Sequence, residues 1–600
     1  MIGTYAAVAA ICFSSLAIGQ AAVRLCGARR WSWLSPAVGL ALLCAICWGT
    51  VRMPGDGVVS ALVVAVLTAA SVVYLRGRVE GGGEALRCGW PVAVGALLAA
   101  SLPFAVEGHF GILGTSFNPD MSQHLLAADR LAEGNASQLL NQGYPLGPHA
   151  IVVALSKGLG IGLVQGFGGL TVAVAILASL TALAAFRDLP TVPRTAGALL
   201  VGLAYLTASY LAQGAFKETM QALYLLAFVL ALREADRTWP ELPLRYVPAA
   251  LIAAGSIYTY SFPSLIWLVP AFVLWFLGDA FLAAGGDDRE DSPGRGSPRS
   301  ETGPAARALG PAPFRALGLA FVVFAVLTLP ELGRMLDFHS FETFDPNGPG
   351  LGNLFGQISP FEALGIWPSG DFRLAPGDGA VPAPGYYLGI GFGSALLAYG
   401  VVQLWRRRET AILAGLGASA LAYAAARIAG TPYTAAKAIE IASPLVALAI
   451  LIPLLSTRLF LVGLKQQKGT GELLRRVVVA GFVAAAGVCS LLALANAPVG
   501  PTSYSSKLSD YRRLVGEGPT VVFASPQLLE EEHGEPFLAW ELRGGRVCIK
   551  STEDSKMPPG VRFAIWDEGD WTLRKVSDPL PGKSPCPLVA ERQARQGPAR

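Results

Sequence analysis

The chain has 600 residues, of which 53% are hydrophobic and 15% charged, and its mean hydropathy is +0.48, which excludes a string of soluble domains. Its net charge of +4 is small for its length and points to no nucleic-acid partner. The cysteines offer no metal-ligand set: Cys12, Cys44, Cys47 and Cys489 fall inside apolar stretches, where they read as small packing residues.

Residues 1–23 lack a basic leader and run straight into a full-length apolar helix, so they read as a first span and not as a cleavable signal peptide. Apolar runs of bilayer-crossing length then recur. Spans are predicted at 2–23, 34–52, 58–75, 90–106, 163–186, 196–213, 219–232, 246–260, 263–282, 316–332, 385–404, 410–426, 437–456 and 477–497. The expected fold is therefore an all-α polytopic membrane protein with about fourteen transmembrane helices and a small C-terminal α/β domain. Three parts follow: N-terminal helices at 1–89, a transmembrane module at 90–497, and an extracytoplasmic domain at 498–600.

Lys and Arg set the orientation. The connections holding Arg24, Arg29 and Arg30, Arg76, Arg78 and Arg87, Arg187 and Arg194, Arg233, Arg237 and Arg245, and Arg406 to Arg408 are expected in the cytoplasm. So are 283–315 and 457–476. Counting spans puts all of these on one side, provided that 148–161 does not cross. That segment is apolar but short and carries His149 and Lys157, which suits a re-entrant or interfacial helix. Residues 107–161, 214–218, 333–384, 427–436 and 498–600 then share the opposite face. Residues 285–313, rich in Gly, Pro, Ser and charge, read as a disordered cytoplasmic loop.

From Pro498 the apolar runs shorten to strand length, at 520–524, 546–550 and 561–566, separated by acidic and Gly/Pro turns. Cys548 and Cys586 lie in this part, and an oxidising compartment leaves their pairing open.

The first long polar interruption, 107–161, gathers Glu107, His109, Asp120, His124, Asp129, Arg130 and His149. Asp120 follows Asn118-Pro119 and precedes a helical pattern over 121–132, so it stands at an N-cap; it is either a cap or a reactive carboxylate. His124 is one turn further along. Lys217 and Glu218 occupy a turn too short to leave the membrane face, where they either pair with each other or face a cleft. Arg427 and Lys437 are cations on the side that disfavours them, with Glu440 one turn after Lys437 as a self-satisfying partner. Glu331, Arg334, Asp337 and His339 follow the tenth span in the same way. Residues 340–384 form a Gly/Pro-rich loop with Phe341, Phe344, Phe355, Phe361 and Trp367, able to lie over a site.

An acidic residue in the first large exterior loop, then Tyr144-Pro145-x-Gly147-x-His149 opening an apolar helix, then a long span, resembles the GT-C superfamily of membrane glycosyltransferases. The resemblance covers mainly residues 100–235. It implies a transferase working on the exterior face with a polyprenyl-phosphate sugar donor, a cell-envelope glycan or lipid acceptor, and membrane lipids around it. It implies Asp120 as the catalytic base; the family's paired acidic motif is absent here. Glu218 is the alternative catalytic carboxylate. Lys217, Arg427 and Lys437 are expected to hold the donor's phosphate, and His124 and His149 to orient donor or acceptor. The cofactor is left open, a divalent cation included. The alternative class is a multi-span transporter or lipid flippase, against which stand the lack of an internal repeat and the clustering of charge at one face. A non-catalytic assembly protein is the third.

Overall fold

The computed structural model describes residues 1–115, 117, 120–134, 138–284, 311–338, 350–456, 470–502, 505–530, 534–554 and 556–586. In a bilayer the backbone must satisfy its own hydrogen bonds, and the long apolar runs do so as helices. Each predicted span lies on a helix. Among the described residues nine helices are long and apolar enough to cross by themselves, or ten if Thr191–Gly202 and Tyr205–Ala212, bent by 53°, make one span. The difference from about fourteen has local causes. Ser35–Thr50 and Val247–Tyr260 are apolar but have only 16 and 14 residues. Gly82–Ala100 carries Glu84 and Arg87 near its start, and Phe216–Arg237 is charged at both ends.

The helices sort by burial. Leu163–Phe186 and Pro432–Leu455 are each 94% buried over their most apolar stretch, whereas Asp56–Leu75 is 11% buried and Phe314–Asp337 17%. The first two, with Phe216–Arg237, form the centre of the bundle, and the latter two turn apolar surface outward as lipid-facing helices do.

The two ends of the bundle differ in chemistry. At one end Glu409 accepts from Arg233 Nε at 2.9 Å and from Arg237 Nη1 at 2.9 Å, Arg187 pairs with Glu234 at 3.3 Å, and Arg407 donates to Ser456 at 2.7 Å. These are connections expected to share the arginine-rich side. At the other end the described parts of the remaining loops meet. Gly114 N–H donates to the Pro498 carbonyl at 2.8 Å, Arg334 to the Gly143 carbonyl at 2.9 Å, and Asn496 to the Gly370 carbonyl at 3.2 Å. Most of 283–315, the segment 457–469, and residues 339–349 with His339, Phe341 and Phe344 lie outside the described residues.

The segment 148–161 forms the helix Gly147–Leu159, 13 residues long and buried over its first two turns. It is too short to cross and packs inside the loop end.

After Ala495 a four-stranded sheet follows: β1 (Thr520–Ala524), β2 (Val547–Ser551), β3 (Phe563–Asp567) and β4 (Trp571–Lys575). The order is β2-β1-β3-β4; β1 is parallel to both neighbours and β4 antiparallel to β3. β1, Thr-Val-Val-Phe-Ala, is buried throughout, as a central parallel strand covered on both faces must be. β4 reads Trp-Thr-Leu-Arg-Lys, too polar to stand out as a strand in sequence. Cys548 of β2 is disulfide-bonded to Cys586.

Candidate functional site

The helix Met121–Ala132 begins where expected. Leu125, Leu126, Ala128 and Leu131 are buried, and the Asp120 carbonyl accepts from the N–H groups of Gln123 and His124 at 3.0 and 3.2 Å. Asp120 itself has a helical backbone (φ −54°, ψ −23°) and its side chain makes no capping hydrogen bond, unlike the extended geometry of a capping residue.

One turn on, His124 Nδ1 lies 3.1 Å from His149 Nε2 in a buried contact. His149 sits in the first turn of Gly147–Leu159, where Gly147 leaves no space for a side chain against the Tyr258 carbonyl. Phe167, Phe216 and Tyr144 ring the two imidazoles, with Phe216 5.0 Å from His124 and 5.6 Å from His149 between ring centres. Burial lowers the His149 pKa to about 3, so this imidazole is neutral. Its Nδ1 is buried with no hydrogen-bond partner among the described residues. A proton on Nδ1 would therefore be orphaned, and the favoured tautomer carries it on Nε2 and donates to His124.

Lys217 and Glu218 open the helix Phe216–Arg237 after a tight turn at Gly214, whose φ of +72° suits glycine. They do not pair with each other across the turn. Lys217 Nζ stands 4.0 Å above the Tyr144 ring, a cation–π contact. Glu218 accepts from Lys437 at 3.0 Å, and Lys437 also lies 4.2 Å over the Tyr433 ring. Lys437 thus pairs with Glu218 and not with Glu440, the partner that helical spacing offered as an alternative. Glu440 is fully buried one turn deeper, and neither carboxylate oxygen has a hydrogen-bond partner among the described residues. Tyr144, under Lys217, also faces His124, one turn after Asp120. Asp120, His124, His149, Lys217, Glu218 and Lys437 therefore converge at the loop end of the bundle, where four helices begin.

Arg427 is set apart. It is exposed at the end of Thr410–Ala429 and donates to Gln357, and no contact among the described residues joins it to the cluster. Arg334 is also spent elsewhere: it donates to Glu331 at 2.6 Å and to the carbonyls of Gly143 and Ile257, while Glu331 accepts from Trp48 at 2.8 Å and pairs with Arg52. That set ties helices together.

Sequence reasoning named no residue in 340–384 as part of the site. The structure places Arg373 there, paired with Asp371 at 2.7 Å and stacked 4.2 Å over Phe117, close to Asp120 in the chain. Asn353 donates to the Phe117 carbonyl at 2.9 Å and to Gln213. The only signal in sequence was the Asp371-x-Arg373 spacing.

Among the described residues no three His, Cys, Asp or Glu gather as a metal set.

No family model matches the chain, and no curated protein does. Among solved structures it is similar to the arabinofuranosyltransferase AftD from Mycobacteria, with 13% identity and a TM-score of 0.47, over 79% of this chain and 35% of that one. It is also similar to the archaeal oligosaccharyltransferase AglB from Archaeoglobus fulgidus, with 11% identity and a TM-score of 0.44, over 80% of this chain and 70% of that one. The chain thus spans about a third of the length of the first.

Proposed function

We propose that the chain is an integral-membrane glycosyltransferase that moves a sugar from a polyprenyl-phosphate donor to a cell-envelope glycan or lipid on the extracytoplasmic face. The observation that carries this reading is the gathering of helix starts at one end of the bundle, where Asp120 opens the helix whose His124 faces Tyr144, Lys217 stands over the same Tyr144, and Lys437 pairs with Glu218. In the reaction the acceptor oxygen forms a bond to the anomeric carbon while the bond from that carbon to phosphate breaks. The electron pair leaves with the phosphate, and Asp120 takes the acceptor's proton as general base. Lys217 and Lys437, with the positive ends of their helices, stabilise the departing polyprenyl phosphate. Glu218 is the alternative base; paired with Lys437, it also fixes that ammonium. His124 and His149 orient donor or acceptor. Arg427 has no part in this proposal. The arginines at the opposite end support the extracytoplasmic side.

The test is transfer from a radiolabelled polyprenyl-phosphate sugar to an envelope glycan fraction by purified protein in sealed vesicles. Labelled glycan on the loop side supports the proposal. Labelled lipid crossing the bilayer without transfer identifies a flippase instead.

A further inference from the structure

The helix Met121–Ala132 is 12 residues long, marginal for a helix by itself, yet a catalytic carboxylate at its start must be held to within a fraction of an ångström. The structure shows what holds it. Before Asp120, residues 111–115 lie along 498–501 as an antiparallel pair, with Leu113 opposite Val499. Gly114 donates to the Pro498 carbonyl at 2.8 Å, Gly500 to the Ile112 carbonyl at 2.8 Å, and Ile112 to the Pro501 carbonyl at 3.2 Å. The approach is so close that a side chain at Gly111 would strike the Gly500 carbonyl, and one at Gly500 would strike Thr115.

After Asp120, the last turn of the same helix meets the C-terminal part through Gly534–Glu541. Arg543 lies 3.6 Å from the Asp129 carboxylate, stacks 3.6 Å over the Trp540 ring and donates to the Trp540 carbonyl at 2.8 Å. Arg512 donates to the Glu541 carbonyl at 2.8 Å and its charge reaches Asp129. Leu538, Trp540 and Leu542 are buried beside this contact, so it is a packed interface and not a surface encounter.

We infer that the C-terminal region is a positioning device for Asp120, gripping the segment that carries it on both sides: through the 111–115/498–501 pairing and through Asp129–Arg543. This rests on the catalytic reading of Asp120 but has its own physical signature. Arg543 and Asp129 touch no reacting atom and act through the helix between them. Removing Arg543 leaves the half-buried Asp129 without its nearest guanidinium and loosens the helix from its far end.

Hydrogen exchange on the full chain in nanodiscs tests it. In Arg543→Ala, amides of 121–132 are expected to exchange about tenfold faster, while β1 and the helix Leu163–Phe186 keep wild-type rates. Asp129→Asn, which leaves the C-terminal side chains intact, should give the same pattern if Arg543→Ala also loosens the sheet. The pair Asp129→Arg with Arg543→Asp should restore most of the protection. In the transfer assay both single variants should lose kcat about tenfold with donor KM within about twofold of wild type. Unchanged exchange at 121–132 in both single variants overturns the inference. Faster exchange there with kcat unchanged in an active enzyme also overturns it. Altered exchange in a protein that transfers no sugar at all removes the transferase reading while leaving the grip in place.

Discussion

Lys437 and Glu218 form the cluster's most direct test. Their contact is 3.0 Å, with side chains only 12% and 7% exposed, so solvent screens it little. Replacing Lys437 by Met removes the cation and leaves Glu218 buried, with Glu440 close by and Lys217 as the remaining cation acting on it. Breaking a buried pair from one side costs about 3–5 kcal/mol, because the other charge is stranded. Removing both, as in Lys437→Met with Glu218→Gln, should cost far less, about 1–2 kcal/mol, since no ion is left to desolvate. Glu218→Gln alone strands Lys437 in the same way and should cost about as much, so the expected coupling is about 5–8 kcal/mol in magnitude, well above the few tenths seen for independent sites. The assay is reversible SDS unfolding of the four proteins in mixed micelles, followed by tryptophan fluorescence. If Lys437→Met alone falls within about 0.5 kcal/mol of wild type, or the two changes simply add, the pair is not buried as described and its place in the site fails with it.

Other outcomes follow from single features. His149 lies outside the spanning helices and its folded pKa, about 3, is below its ordinary 6.5. As pH falls through about 6.5 the unfolded chain takes up the proton first, so stability should drop by up to about 1.4 kcal/mol per pH unit down to about 3, and be flat above 6.5. His149→Gln should remove that slope, read from unfolding midpoints at pH 7.5 and 5; equal slopes would mean that the imidazole is not held neutral. Arg427→Ala should leave transfer within about twofold of wild type, because Arg427 pairs with Gln357 outside the cluster; a large loss would put it back among the phosphate ligands. Cys548 and Cys586 are 38 residues apart, and their bond should stabilise the C-terminal region by about 4 kcal/mol on loop-closure grounds. Cys586→Ser should therefore make β1 to β4 protease-sensitive without affecting the central helices.

What could be read in the sequence was whatever depends on near neighbours. Apolar length gave the spans, the arginines sorted the loops between the two ends, and Asp120 marked the start of Met121–Ala132 to the residue. Three strands of the sheet were found, and β4 was missed because Trp571 and Leu573 alternate with Thr572 and the strand ends on the exposed Arg574 and Lys575. Pairings between distant segments were not legible. Helical spacing offered Glu440 as the alternative partner of Lys437, but Glu218, at the start of another buried helix, reaches it first. Arg427 and Lys437 are close in sequence, yet the chain turns at Gly430 and Thr431, and Arg427 is left on the outer side. Arg334 offered the same signal as Lys217 and is consumed in packing by Glu331, Gly143 and Ile257.

The central claim is that Asp120 takes a proton during transfer, and Asp120→Asn addresses it most directly. The Asp120 side chain caps nothing in the helix it precedes, and Asn matches it in size and polarity, so the substitution keeps the shape and removes the proton acceptor. Purified wild type and variant, matched for folded protein and for donor binding, are compared in single-turnover transfer from radiolabelled polyprenyl-phosphate sugar. The rate is expected to fall about 10²–10⁴-fold with donor affinity within about twofold. A variant that transfers sugar at close to the wild-type rate would contradict it.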